Sequence, residues 1–261
     1  MKKMLVTSIE FSFFTGYCEF KTKPHLPVLL GLLHKHTEYR NGRVVVTRSR
    51  KLVISFVVTV VNYEYAIYWS FFQDGTISFE IKATGELSTN LLAENATPAK
   101  HGTIVAPNIN AQYHQHIFVM RLDPMIDGIR NTVSTVDVIP LESKMGSQEN
   151  PHGHGFTVLE TPLKTSKMAA TDVCAEKFRT WKISNSSSIH PYTGEPVGWK
   201  LIPTSCFTGM LASAESKVRH RAGFANHSVW VTKNCSKELY AAGPYVNQSK
   251  GGDGRWTLSM G

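Results

Sequence analysis

Residues 52–65 carry the sequence LVISFVVTVVNYEY, an almost wholly apolar run that ends in two tyrosines. Its β-branched residues and its length favour a β-strand covered on both faces. Asp74-Gly75 then supplies a tight turn between residues 65–72 and 76–84, which predicts a hairpin. The run and its hairpin therefore indicate a sheet built from sequence neighbours.

A second strand is predicted at residues 112–122, and it contains His114 and His116. Residues i and i+2 of a strand project from one face, so two imidazole nitrogens can meet one metal ion there. Imidazole binds copper, zinc, iron or nickel, so the spacing leaves the metal open. A tyrosine brought near such a metal could be ionised and made reactive toward dioxygen, which is the chemistry of a self-made quinone. By contrast, the similar string His152-Gly153-His154 lies in a predicted polar loop and is expected to be solvent-exposed.

The rest of the chain is also rich in short strands separated by Gly, Pro, Asn and Ser. We predict a helix only at residues 211–221, and loops at residues 140–155 and 184–196. The sum predicts an all-β fold, a β-sandwich with little helix. Further strands are expected at residues 132–139, 155–161, 178–183, 197–202 and 229–232.

Composition places the chain among globular proteins and argues against several other classes. With 261 residues, 42% apolar and 10% aromatic, it can form one substantial core. The net charge of +8 is scattered and no nucleic-acid-binding motif accompanies it, so a nucleic-acid partner is not expected. No apolar run is long enough to cross a bilayer, and no secretory signal is expected, which leaves peroxisome and cytoplasm open. The four cysteines lack CxxC spacing and are expected to be mostly free thiols.

Several strings, taken in order, carry a resemblance to a known family. Together they resemble the copper-containing, topaquinone-dependent amine oxidases of the fungal type. The resemblance covers residues 18–254 and implies a partial catalytic domain, a large antiparallel β-sandwich, between unmatched residues 1–17 and 255–261. The strings are LHKHT (33–37), RSRKLVI (48–54), TVVNYEY (59–65), FQDGTI (72–77), AQYHQHIF (111–118), RLDPMIDG (121–128) and FANHSVWVT (224–232).

The resemblance assigns roles to several residues. Tyr63 would be the precursor of topaquinone, and Asn62 would limit the rotation of that ring. His114 and His116 would bind copper (Cu²⁺). Asp123 would belong to a peripheral calcium site, together with Asp127 and the carbonyl of Pro124, and Asp123 is the better candidate of the two carboxylates. The alternative for the nearby Asp127-Gly128 is a simple turn. Cys18 resembles half of a family disulfide.

The implied reaction is oxidation of a primary amine by dioxygen to an aldehyde, ammonia and hydrogen peroxide, in a homodimer without a membrane partner. Two parts of the family pattern, a proton-abstracting aspartate and a third copper histidine, match nothing in residues 1–261. We therefore expect a truncated amine oxidase domain that is unable to turn over by itself. The alternative is a catalytically dead partial sandwich that acts as a dimerisation or interaction module. A metal-dependent oxygenase with an HxH site is a third interpretation, and it lacks a carboxylate ligand motif.

Overall fold

The computed structural model describes residues 2–11, 28–94, 96, 100–203, 209–233 and 241–242, the first ten and residues 28–30 by backbone alone. The chain divides into two compact units. We call residues 11–115 the hairpin unit, and residues 1–10 with 116–261 the sandwich unit. Cys18, Cys206, Cys235 and the tail at 255–261 lie outside the described residues.

Strands make up nearly all of the regular structure in the described ranges. They are β1 (Lys2–Phe11), β2 (Val28–Thr37), β3 (Val44–Val60), β4 (Tyr63–Phe72), β5 (Ile77–Gly85), β6 (Thr89–Leu91), β7 (Gly102–Ala106), β8 (Ile109–Gln112), β9 (His116–Leu122), β10 (Thr132–Pro140), β11 (Phe156–Pro162), β12 (Ala170–Thr171), β13 (Thr180–Ile189), β14 (Pro196–Leu201) and β15 (Val229–Lys233). A short helix α1 (Lys217–Arg221) and a 3₁₀ turn (Gly223–Asn226) precede β15.

In the hairpin unit, β2 to β5 form a four-stranded antiparallel sheet in sequence order. The predicted turn at Asp74-Gly75 is confirmed. Gly75 takes φ +86°, and the Asp74 carboxylate accepts the Thr76 N–H at 2.9 Å. That backbone bond, with a side-chain bond to the same threonine, lowers the pKa of Asp74. A smaller sheet, ordered β6-β8-β7, completes the described part of this unit.

Strand β3 is longer than predicted and is not covered on both faces. Of its residues only Ser49 and Val53 are buried. Leu52, Ile54 and Val57 are 50%, 46% and 54% exposed. An apolar run identifies residues that gain by leaving water, but it does not identify the layer that covers them. The prediction of a doubly covered strand is therefore wrong for this chain.

The sandwich unit contains two antiparallel sheets, ordered β11-β10-β13-β14 and β12-β15-β1-β9. Val133 and Trp181 from the first sheet and Val229 and Val231 from the second belong to one buried cluster. Neighbouring residues such as Ser134 and Trp230 are buried as well, and residues from two sheets that pack in one cluster form the core of a sandwich. The predicted β-sandwich is confirmed in this unit.

In the sandwich unit, two further element boundaries differ from the sequence predictions. The helix expected at residues 211–221 begins only after Ser216, whose hydroxyl caps the Val218 N–H, and it ends at Arg221. The loop expected at residues 184–196 is shorter, because β13 continues to Ile189 through an irregular register between Asn185 and Ile189. Apart from this C-terminal end of β13, the ends of the predicted strands in the sandwich unit after residue 131 agree with the structure to within three residues.

Candidate active site

Tyr63 is fixed by a two-residue connection in the hairpin unit. It opens β4 directly after a two-residue turn, Val61-Asn62, and pairs with Val60 on one side and Gly85 on the other. Val61 takes φ +56°, a conformation that a β-branched residue rarely adopts. The Asn62 carbonyl accepts the Glu86 N–H at 2.7 Å. The tyrosine backbone is therefore held from both neighbouring strands.

Gly85 approaches the Tyr63 backbone too closely for any side chain. It takes φ +108°, and a Cβ there would lie 2.5 Å from the Asn62 carbonyl oxygen and 2.8 Å from the Tyr63 Cα. A glycine is required at this position both for its conformation and for the space. No sequence motif singled out this residue, although a glycine closing a strand opposite a functional tyrosine is a usable signal.

His114 lies beside the tyrosine ring. The Tyr63 hydroxyl and Nε2 of His114 are 2.8 Å apart, with ring centroids at 5.8 Å. Nδ1 of His114 is 2.9 Å from the Gln112 carbonyl oxygen. A carbonyl can only accept, so Nδ1 carries the hydrogen in the neutral ring and Nε2 accepts from the phenol. This is the tautomer a metal-binding histidine needs, with its second nitrogen donating to a backbone carbonyl.

Residues around His114 are anchored by backbone bonds to earlier segments. The Gln112 N–H donates to the Ser88 carbonyl at 3.3 Å, and the Tyr113 N–H donates to the His101 carbonyl at 2.8 Å. The Gln112 side-chain amide donates to the Asn90 side chain at 3.0 Å. These backbone bonds continue the pairing of β8 with β6 and β7 by one residue, with Ser88 opposite Gln112 and His101 opposite Tyr113, so the chain is fixed up to the residue before His114.

The predicted strand at residues 112–122 is consequently two strands. β8 ends at Gln112, β9 begins at His116, and the three residues between them are not in a strand. The argument that His114 and His116 are i and i+2 of one strand is therefore wrong. His114 is exposed and belongs to the hairpin unit, whereas His116 is 1% exposed and belongs to the sandwich unit. The ligand role of both residues stays a prediction.

Tyr65 is the second tyrosine on the same face of β4. Its side chain is 4% exposed, and its ring centroid lies 6.3 Å from that of Tyr63. Burial raises the pKa of the Tyr65 hydroxyl, and Tyr63 raises it further. On the other face, the Thr59 hydroxyl donates to the Glu64 carboxylate at 2.9 Å. Glu64 therefore points away from the tyrosine pair.

The remaining predicted site residues have contacts of their own. The Asn62 side-chain amide donates to the Glu86 carbonyl at 2.7 Å, and its role above the ring of Tyr63 stays a prediction. Asp123 is exposed, and its calcium role is likewise untested. Asp127 takes φ +48° and accepts the Ser188 hydroxyl at 2.7 Å, which fits the turn predicted as the alternative.

The donor atoms suit copper in kind, although they do not make a complete site. Two adjacent ligands, each about 2.0 Å from one ion at a right angle, are roughly 2.8 Å apart. The separation of the Tyr63 hydroxyl and His114 Nε2 equals that span. Among the described residues, no group of three or more His, Cys, Asp or Glu could hold a metal ion. The pair is therefore a partial donor set.

The described residues form antiparallel all-β units, one of which holds a tyrosine hydroxyl beside an imidazole, and comparisons with known proteins identify the family. The family described as "Copper amine oxidase, enzyme domain" matches residues 29–259. The chain belongs to the copper amine oxidases, oxidoreductases that act on amines. The resemblance predicted from the sequence is confirmed.

Individual relatives agree with this assignment. The chain is 41% identical over 223 residues to "Copper amine oxidase 1" of Schizosaccharomyces pombe and 44% identical over 222 residues to "Histamine oxidase" of Arthrobacter globiformis. Each match covers 85% of this chain and 31% of the relative, so the chain spans about a third of their length.

Solved structures show the same fold. The copper-containing benzylamine oxidase from Hansenula polymorpha matches with a TM-score of 0.75 and 38% identity, over 87% of this chain and 35% of that chain. An amine oxidase from Aspergillus nidulans, at 17% identity and a TM-score of 0.72, supports the fold alone. Within the described part of the chain, no helix has the length and apolar content needed to cross a bilayer.

Proposed function

We propose that this chain carries the cofactor-forming part of a primary-amine oxidase. Tyr63 is the precursor of topaquinone, and His114 and His116 are two of its copper ligands. The reaction is oxidation of a primary amine by dioxygen to an aldehyde, ammonia and hydrogen peroxide. The 2.8 Å contact between the Tyr63 hydroxyl and His114 Nε2 carries the proposal, because it places a phenol oxygen next to a nitrogen donor of fixed tautomer.

The chain's own residues orient the tyrosine hydroxyl toward the imidazole. The Gln112 carbonyl holds the imidazole so that Nε2 faces the phenol. Loss of the phenol proton leaves two electron-rich atoms, Oη of Tyr63 and Nε2 of His114, at the separation of neighbouring metal ligands. Burial keeps Tyr65 protonated, because its raised pKa disfavours the charged form. Bound copper and quinone would supply the electron transfer from the amine to dioxygen.

Turnover by this chain alone is expected to be weak or absent. The described residues hold a partial donor set for copper, and losing a ligand weakens metal binding by about tenfold or more. A peripheral calcium ion at Asp123 and assembly as a homodimer are part of the same proposal, and they rest on the family resemblance.

The test separates formation of the cofactor from turnover. Purified protein is incubated with Cu²⁺ in air, and the tryptic peptide of residues 52–82 is examined by mass spectrometry. We expect oxygen to be incorporated at Tyr63, with a visible quinone absorbance, in the parent and in Tyr65→Phe but not in Tyr63→Phe. Oxidation at Tyr65 instead, or an unmodified peptide under conditions that convert a full-length relative, would contradict the proposal. Hydrogen peroxide released from a simple amine would overturn only the expected inactivity.

A second candidate function, an interaction module, is favoured by the exposed apolar side chains of β3. Leu52, Ile54 and Val57 are each about half exposed. Size-exclusion chromatography and crosslinking, alone and with a full-length relative, test this function. Association that disappears in Leu52→Lys supports it, and a monomer in both mixtures rejects it.

A further inference from the structure

The loop between β10 and β11, residues 141–155, has a fixed internal structure, and we call it the histidine loop. The Leu141 N–H donates to the Gly155 carbonyl at 3.0 Å and closes its base. Asn150 is buried at its centre, where its amide donates to the Ser143 carbonyl at 2.9 Å and its side-chain oxygen accepts the Gly155 N–H at 3.1 Å. The loop is therefore braced from inside, and its outer side chains project from a defined backbone.

Two imidazoles lie side by side on the outside of this loop. The rings of His152 and His154 are parallel within 8°, with centroids 5.6 Å apart. Both side chains are exposed, as the sequence predicts. They are held by Gly153 between them, which takes φ +72° and donates its N–H to the Asn150 carbonyl at 3.3 Å. Two nitrogen donors with this spacing can converge on one ion by rotating their side chains.

A thioether lies against the same short segment. A Cβ on Gly153 would be 3.0 Å from Cγ and 3.1 Å from Sδ of Met145, so the methionine side chain covers the peptide that joins the two histidines. Met145 is nevertheless 77% exposed. Its side chain is therefore largely accessible to solvent and lies beside Gly153, the residue that joins the two histidines.

We propose that Met145, His152 and His154 form a surface site for monovalent copper, separate from the site proposed at His114 and His116. Thioether sulfur is a soft ligand that selects Cu(I), and imidazole accepts copper in either oxidation state. Zn²⁺ and other borderline ions gain little affinity from the thioether, so the sulfur of Met145 would make the site prefer Cu(I) to these ions. No residue of this site takes part in the proposed oxidation of amines.

Binding is tested with Cu(I) under nitrogen, using full-length protein labelled with ¹³C at the methionine methyl groups. The Met145 signal is assigned by its absence from Met145→Leu. We expect Cu(I) to shift that signal in the parent protein and to leave it unshifted in the double variant His152→Ala/His154→Ala. His220→Ala, which removes an exposed histidine from α1, is the matched control and should behave as the parent does.

Affinity measured against a chromophoric Cu(I) chelator gives the second readout. Met145→Leu should lower the affinity for one equivalent of Cu(I) by about tenfold or more and should leave the affinity for Zn²⁺ unchanged. A Met145 signal that Cu(I) does not shift overturns the proposal. Equal loss of Zn²⁺ and Cu(I) on Met145→Leu also overturns it, because the sulfur would then be structural. If the histidine double variant fails to fold, the response of the parent's Met145 methyl signal to Cu(I) decides the matter.

Discussion

Replacing Gly85 by alanine should damage the tyrosine site through the backbone. The new Cβ would lie 2.5 Å from the Asn62 carbonyl oxygen and 2.9 Å from the Glu64 amide nitrogen, and neither backbone atom can rotate away. The positive φ of +108° adds conformational strain. Strain and steric displacement together should lower the free energy of unfolding by about 2–4 kcal/mol, or roughly 5–15 °C in melting temperature.

Gly42→Ala is the matched control for this substitution. Gly42 also has a positive φ, +70°, but a Cβ there would meet no atom within 4 Å. It therefore carries the conformational cost without the collision, about 1 kcal/mol. Thermal unfolding by circular dichroism compares the two variants, and the yield of oxidised Tyr63 after incubation with Cu²⁺ in air reports on the site. Equal melting temperatures for the two variants would refute the steric argument.

Three further perturbations test other parts of the structure. Burial raises the pKa of Tyr65, so the stability that this hydroxyl contributes is present below its unfolded-state pKa of about 10 and is lost as pH rises through its folded-state pKa. Tyr65→Phe should therefore flatten the alkaline limb of a plot of unfolding free energy against pH. Arg179 lowers the pKa of Asp137 through two parallel hydrogen bonds. The stability from this ion pair is present above the unfolded-state pKa of about 3.9 and is lost as pH falls through the folded-state pKa of Asp137. Asp137→Asn should therefore lower the free energy of unfolding by about 1–3 kcal/mol, measured by urea unfolding at pH 7. Val61→Asn should raise the urea midpoint by the equivalent of about 1 kcal/mol, since asparagine tolerates φ +56° better than valine.

Local signals predicted the parts of the fold that depend on neighbouring residues. The Asp74-Gly75 turn fixed the β4–β5 register, since its glycine supplies the required positive φ. The break between Gln112 and His116 was not predictable from alternation. It falls where the pairing of β8 with β7 ends, since the Tyr113 N–H makes the last bond of that register to the His101 carbonyl, more than ten residues away in the chain. Non-local pairing of this kind leaves no periodic trace in sequence.

The candidate site was predicted by its reactive residues and not by its supports. Tyr63 and His114 were singled out from short strings that resemble the family, and the structure places their side chains in contact. Gly85 and the Gln112 carbonyl act through backbone atoms, and any residue type can present a carbonyl. Exposure of Leu52 could not be foreseen either, because a sequence records apolarity without recording the neighbouring layer.

The two-residue connection before Tyr63 sets which face of the sheet carries its ring. Side chains of a strand alternate between faces, so a slip of one residue between β3 and β4 would carry the phenol to the opposite side of the sheet, away from His114. Adding a single residue at Val61-Asn62 would have that effect if the residue entered the ladder, whereas a loop that held it as a bulge would leave the phenol in place. The register set at this short link therefore decides whether the tyrosine can reach an imidazole.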